Sequence, residues 1–310
     1  MNTVITSLNL IRKSEAEGAK YVEDNLFENS KVIIHADDDN CYLGEICFFD
    51  FFYNILVLRF KSRSYFQPAK LSMIDDATAL DRDAPLRRHS IKTKSGDSVI
   101  VLGRYFYEPY DYMGVPGVLS LERFMPDEYD CNELLTIKCR YTRCGDGAPV
   151  ISTSGGLVGM TFYDLGSGSR PLLPINILAR LLEHYKKYGE MRHPSYGFDA
   201  RNVHLAILPT LLKFQKAFPD IQDGLIVEKV FKDYNAELAG MQVGDVIFSC
   251  DGTQVKSFLE LWNLMFEKVG KEVELEVARV ALKIVQTLRV KVGEASVDEE
   301  TYRWLRFDYG

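Results

Sequence analysis

The chain is 310 residues long, enough for two domains that each bury a core, and it is 46% hydrophobic, 26% charged and 12% aromatic. A formal net charge of −7 leaves no basic excess for phosphate, which argues against a nucleic-acid partner. No apolar run is long enough to span a bilayer as a helix: the nearest, residues 48–60, is interrupted by Asp50, Asn54 and Arg59, so no membrane association is expected.

In chain order, Asn2-Thr3-Val4-Ile5-Thr6 already reads as a strand rather than a targeting peptide. Either targeting information therefore sits in a missing upstream part, or the protein stays where it is made. Lys31–His35 and Cys41–Ile46 read as a hairpin turning at Asp37-Asp38-Asp39-Asn40, with Tyr53–Leu58 as the next strand. His35 beside that acidic turn matches no ligand spacing, and a solvated turn explains it without a metal. The six cysteines, Cys41, Cys47, Cys131, Cys139, Cys144 and Cys250, show no C-x-x-C pair. They read as reduced thiols in a soluble intracellular compartment, cytosol, nucleus or organelle.

Gly96-Asp97-Ser98 looks like a nucleophile motif but runs straight into the strand Val99–Leu102 with no Gly-Gly-Pro elbow, so Ser98 reads as a strand residue. Met113–Ser120 is a further strand. Arg143-Cys144-Gly145-Asp146-Gly147-Ala148-Pro149-Val150 then forms a tight Gly-rich elbow, followed by Gly155-Gly156-Leu157-Val158-Gly159-Met160-Thr161-Phe162. Clustered backbone N–H groups in such an elbow form an oxyanion hole in β-barrel hydrolases. Ile175, Leu178, Leu181, Leu182 and Tyr185 recur at helical spacing, with Lys186 and Lys187 in the last turn and Gly189 as a C-cap.

Past the linker 189–194, Tyr196-Gly197-Phe198 is a loop in which glycine lets successive N–H groups point at one carboxylate. Asp223–Val227 reads as a strand, Ala236–Met241 as a short helix and Val243–Gly252 as a strand and turn. Ser257-Phe258-Leu259-Glu260 is a capping box opening a helix that carries Phe258, Leu261, Trp262, Met265 and Val269 on one face. Residues 272–292 supply closing strands, and the tail 293–310 carries Tyr302, Trp304, Phe307 and Tyr309.

The elbow and the strand after it resemble the R-G-N-S-G-G-P-L and G-x-V-V-G-I segments of the DegP/HtrA serine proteases. Thr3–Ile11 is similar to the family's I-L-T-N-A-H-V-V, Tyr53–Leu58 to its D-L-A-V-L, and Val243–Gly252 to the K-P-G-D-V-I-V-A-V-N-G of its PDZ domain. The resemblance covers roughly residues 3–292. It implies a mostly β fold: a chymotrypsin/trypsin-like double β-barrel, here N-terminally truncated, followed by an α+β PDZ domain. The expected domains are 1–189 for the protease barrel and 190–292 for the PDZ domain, with 293–310 as a tail.

Aligned on the family, the triad positions are Asn9 for the histidine, Asn54 for the aspartate and Asp146 for the serine, and Cys144 and Gly145 form the oxyanion turn. The resemblance therefore identifies a degenerate, plant-type member whose triad is lost, since an amide cannot shuttle a proton and a carboxylate has none to give up. It implies no cofactor and no metal, and as partners the C-terminal or unfolded segments of peptides. Tyr196, Gly197, Phe198, Phe258, Leu261, Trp262 and Met265 are expected to bind them. Relatives form trimers, which allows a homo-oligomer here.

Three functions follow. One is an inactive protease homologue that binds peptide or acts as a scaffold. A second is residual serine endopeptidase activity on unfolded proteins through another nucleophile such as Ser152 or Ser154. The third is a decayed fragment.

Overall fold

The computed structural model describes residues 2–11, 31–36, 40–74, 93–105, 111–123, 133–139, 145–162 and 169–295. They divide into two compact units, one drawn from Met1–Ile74 and Ile91–Glu183, the other from His184–Ala295. Cys131, Cys144, the turn Asp37–Asp39 and the aromatic tail lie outside the described residues.

The first unit opens with β1 (Asn2–Ser7), β2 (Val32–His35), β3 (Cys41–Asp50) and β4 (Ile55–Phe60). They form an antiparallel sheet in the order β1-β4-β3-β2. β4 is central and buried on both faces: Ile55, Leu56, Val57 and Leu58 are all in the core, as expected of an unbroken β-branched and aliphatic run. The reversal from β3 to β4 is set by Asp50, whose Oδ1 accepts from Phe52 N at 3.1 Å in an Asx turn. Asn54 closes it with a φ of +54° and is wholly buried. Asn is one of the few residues that adopt the left-handed region at small cost.

β5 (Ser98–Arg104), β6 (Tyr112–Arg123), β7 (Leu135–Cys139), β8 (Ala148–Ser152), β9 (Leu157–Thr161) and β10 (Ser169–Pro174) close into a barrel in the order β10-β7-β6-β5-β8-β9. Its interior holds Val99, Val101, Leu119, Ile137, Val150 and Leu172 at alternate positions of their strands. The segment before residue 75 is tied to this barrel. Ser72 N donates to Leu157 O at 2.8 Å, and the Asn176 amide accepts from Ile74 N at 2.8 Å while donating to Ile74 O at 3.0 Å. Asn176 lies in α1 (Ile175–Tyr188), which ends at Gly189 as the sequence predicts: Gly189 has φ +75° and its N–H returns to Tyr185 O at 2.8 Å.

In the second unit, β11 (Pro194–Ser195) pairs with β18 (Gly293–Glu294), so the two ends of the unit meet. The main sheet runs β12-β13-β14-β16-β17, from β12 (Phe198–Asn202), β13 (Leu225–Val230), β14 (Asp245–Cys250), β16 (Glu272–Arg279) and β17 (Ile284–Lys291). The short β15 (Thr253–Gln254) pairs beside β14. Three helices accompany it: α2 (Leu208–Ala217), α3 (Asn235–Leu238) and α4 (Phe258–Phe266). Ser257 caps α4, its Oγ accepting from Glu260 N at 3.2 Å, and Glu260 Oε2 accepts from Lys256 N at 2.8 Å, so the carboxylate of the expected capping box reaches the residue before the cap rather than Ser257 itself.

Candidate functional site

Two places gather the residues singled out by the sequence. In the first unit, β1 ends at Ser7, whose Oγ accepts from Asn9 N at 3.2 Å and so caps the 3-10 turn Leu8–Leu10. The same Oγ accepts from Asn54 Nδ2 at 3.2 Å, while Leu8 N donates to the Asn54 carbonyl at 3.0 Å. Asn9 Nδ2 in turn donates to Asp146 Oδ2 at 3.3 Å. Residues 9, 54 and 146, far apart in the chain, are thus joined through Ser7 into one polar cluster. Ser7, which the sequence reading passed over, is the hub, and its position one residue before a 3-10 turn is the local signal for it.

The elbow is seated against this cluster by its glycines. Gly147 has φ +70°, and a Cβ there would come within 2.6 Å of both Ser7 N and Thr6 Oγ1. A side chain on Gly145 would collide with the guanidinium of Arg170, which is 2% exposed and lies behind the elbow. Arg170 also bonds Cys139: burial pushes that thiol's pKa up, and Arg170 offsets part of the rise. Chemically the cluster has amide donors, a hydroxyl and a carboxylate.

The serines considered as alternatives sit elsewhere. Ser98 stands at the exposed start of β5, opposite Val118. Ser152 Oγ lies 2.9 Å from Ser154 Oγ and exchanges hydrogen bonds with the backbone of Gly156, both at 3.2 Å, so these hydroxyls serve the β8–β9 turn.

The second place is the edge of the second unit's sheet. β12 is an end strand, and α4 runs beside it. Gly197, at φ +72°, turns the chain into β12, and a Cβ there would come within 2.6 Å of Tyr234 Cβ. Gly197 O accepts from Phe231 N at 2.9 Å while Phe198 pairs with Val230. In an antiparallel ladder that pattern turns the N–H and C=O of Phe198 away from β13, toward the open edge. Asn202 Nδ2 donates to Lys256 O at 3.0 Å, fixing the far end of β12 against the start of α4.

Of the predicted groove residues, Tyr196, Phe198 and Phe258 come together, with ring centroids 6.0 Å apart for Tyr196–Phe198 and 6.3 Å for Tyr196–Phe258. Leu261 and Met265 lie in the core of the unit with Val227, Ile247 and Leu275. Trp262 is 1% exposed and stacks on Phe266 at 4.8 Å. The single apolar face read from the sequence is therefore two stripes: Phe258, Leu261 and Met265 on the sheet, and Leu259, Trp262 and Phe266 beside it. His184, which the sequence reading passed over, packs edge-on to Phe266 at 5.2 Å and lies 3.6 Å from Glu267.

The PDZ domain family matches residues 206–292. A "Serine protease HtrA-like" protein of Staphylococcus haemolyticus is 23% identical over 297 residues, 85% of this chain and 44% of the relative. "Putative protease Do-like 14" of Arabidopsis thaliana is 28% identical over 168 residues, 54% of this chain and 38% of the relative. The chain thus spans less than half the length of these curated relatives. Among solved structures, an "HtrA-type protease AlgWS227A with decapeptide" shares the fold with a TM-score of 0.52 at 14% identity, covering 95% of this chain and 79% of that one. A mostly β protein with a trypsin-like barrel, an elbow seated on β1 and a PDZ domain after it, this chain is similar to the DegP/HtrA serine proteases.

Proposed function

We propose that this protein captures the free C-terminal end of an extended, apolar-ended peptide at the edge of β12 and does not cleave it. The observation that carries this reading is the ladder edge at Phe198, unpaired among the described residues, next to Gly197 in a left-handed turn. A peptide strand added there gains main-chain hydrogen bonds, its carboxylate meets the N–H groups of Gly197 and Phe198, and its last side chain enters beside Tyr196 and Phe258. The decapeptide named with the solved relative supports a peptide ligand of this size. Leu261 and Met265 act from the core, by holding α4 at its distance from β12.

The chemistry of the first cluster supports the absence of cleavage. Serine-type acyl transfer needs a nucleophile that loses a proton to a neighbouring base. Asp146 at neutral pH is an acceptor, and Asn9 gives its N–H to it. Removing triad groups lowers turnover by about 10⁴ to 10⁶. The domain limits that fit this function are wider than 190–292: β11 needs β18, Ala295 N donates to His193 O at 2.9 Å, and His184 packs on α4. The binding module is 184–295.

The test is calorimetry of the whole chain with matched apolar-ended peptides, one a free acid and one C-terminally amidated. Binding of the free acid with a Kd of about 1–100 μM, roughly −5 to −8 kcal/mol, and at least tenfold weaker binding of the amide is expected. Equal binding of the two forms removes carboxylate capture. In parallel, a fluorophosphonate probe and unfolded casein should give neither label nor cleavage; stoichiometric labelling of any serine would establish an active enzyme instead.

A further inference from the structure

Cys41 opens β3 directly opposite His35, the last residue of β2, and its Sγ lies 3.4 Å from His35 Nδ1. Both side chains are exposed. Their approach is set by ladder register, with Ala36 N donating to Asn40 O at 3.1 Å to close the hairpin beyond them. The pair shares no residue with either site above. The other described cysteines are built differently. Cys139 and Cys250 are buried, and burial, with the nearby charge of Asp251, pushes the Cys250 thiol up to about 11. Cys47 is half-buried and donates to the Glu45 carbonyl at 3.8 Å.

A thiol reacts through its sulfur once its proton has somewhere to go, and an exposed thiol in contact with an imidazole satisfies both needs. We propose that Cys41, assisted by His35, is a modification site for small oxidising electrophiles, of which hydrogen peroxide is the simplest. His35 Nδ1 takes the thiol proton as the sulfur attacks one peroxide oxygen. The S–O bond forms, the O–O bond breaks, and the departing hydroxide takes the proton from the imidazolium and leaves as water. Sulfur is oxidised by two electrons to the sulfenic acid, and the peroxide is reduced by two. A further thiol converts the product to a mixed disulfide and so makes the change reversible.

The experiment treats the reduced whole chain with hydrogen peroxide in the presence of dimedone and follows each cysteine by mass spectrometry. A second arm uses iodoacetamide, which needs no oxidation. Cys41 should be labelled at least about tenfold faster than Cys47 in both arms, below the 10² to 10⁴ of an enclosed general base because this pair is open to water. His35→Gln should slow labelling at Cys41 by about the same factor and leave Cys47 unchanged, and Cys41→Ser should remove the fast phase. Because the comparison of Cys41 with Cys47 is made within the unsubstituted protein, it does not depend on any variant folding. Equal rates at the two thiols, or a Cys41 rate unaltered by His35→Gln, overturns the proposal.

Discussion

Removing the Arg279 guanidinium probes what joins the centre of the second unit's sheet to its turns. Arg279 ends β16 and faces Asp245, the first residue of β14, as a direct cross-strand pair. Its Nε donates to Asp245 Oδ1 at 2.8 Å, and its Nη2 donates to Asp245 Oδ2 at 2.7 Å and to the Gly240 carbonyl at 2.8 Å. Asp245 is 1% exposed, and the hydrogen bond to it holds the Arg279 pKa above its ordinary value against the opposing effect of burial. Arg279→Ala leaves a carboxylate buried with one remaining backbone donor, Gln242 N at 3.0 Å, and strips the Gly240 carbonyl of its partner. Breaking one side of a buried pair costs roughly 3–5 kcal/mol, and the surviving Gln242 bond sets the expectation near the lower figure, about 3 kcal/mol. Asp245→Ala with Arg279→Ala strands no charge, so the double variant should lose less than the sum of the singles by roughly 1–3 kcal/mol. The assay is urea unfolding of the whole chain in a Trp304→Phe background, where Trp262 is the one remaining tryptophan and reports the second unit. A loss under about 1 kcal/mol for Arg279→Ala, or strict additivity in the double variant, would refute the pair's role.

Asp251 gives a pH signature. Burial pushes its carboxyl up, but the Lys268 hydrogen bond, Glu274 N at 2.8 Å and the Lys268 charge together hold it below its ordinary 3.8. A lowered carboxylate adds stability that is present above its unfolded value and lost as pH falls through its folded one, so Asp251→Asn should flatten the acid limb of urea midpoints below about pH 4; parallel curves would count against it. Gly197→Ala forces a left-handed residue against Tyr234, costs about 1–2 kcal/mol and should weaken free-acid peptide binding more than amide binding, as read by calorimetry. Asn176→Ala removes both bonds to Ile74 and should cost about 1–3 kcal/mol, with faster hydrogen exchange at the Ile74 amide. Asn9→His with Asn54→Asp and Asp146→Ser should yield no more than traces of casein cleavage; turnover near that of an active relative would show an elbow better formed for catalysis than argued above.

What was legible in the sequence was local. The β2–β3 hairpin, β5, the elbow, the Gly189 stop of α1 and the capping box of α4 are each written in a few adjacent residues whose turn, pairing or cap chemistry leaves little choice. Legibility failed where a residue's task is set by a distant neighbour. The stripe on α4 was read as one face because 3.6-residue spacing places Leu261 and Trp262 side by side, and nothing in the segment says that one meets Val227 and the other Phe266. Nothing in the residues next to His184 or Arg170 in the chain marks the packing of the one on Phe266 or the burial of the other. A buried arginine is read from its partners, and one partner of Arg170, Cys139, lies on β7, more than thirty residues away in the chain.

On the proposed reading, the polar cluster in the first unit keeps the backbone of a protease-like frame and carries different chemistry. Asn54 stands in a left-handed turn that both aspartate and asparagine tolerate, and its carbonyl holds Leu8 N, so an amide there keeps the backbone and removes the charge. Asn9 and Asp146 are different, because they depend on each other: the amide donates and the carboxylate accepts. An imidazole placed at 9 beside an unchanged Asp146 would be held as an imidazolium by the adjacent carboxylate, and an imidazolium cannot act as the base. A serine placed at 146 beside an unchanged Asn9 would have no proton acceptor. Neither single exchange supplies both a base and a nucleophile, so the present pair is self-consistent as a joint between the 3-10 turn after β1 and the elbow.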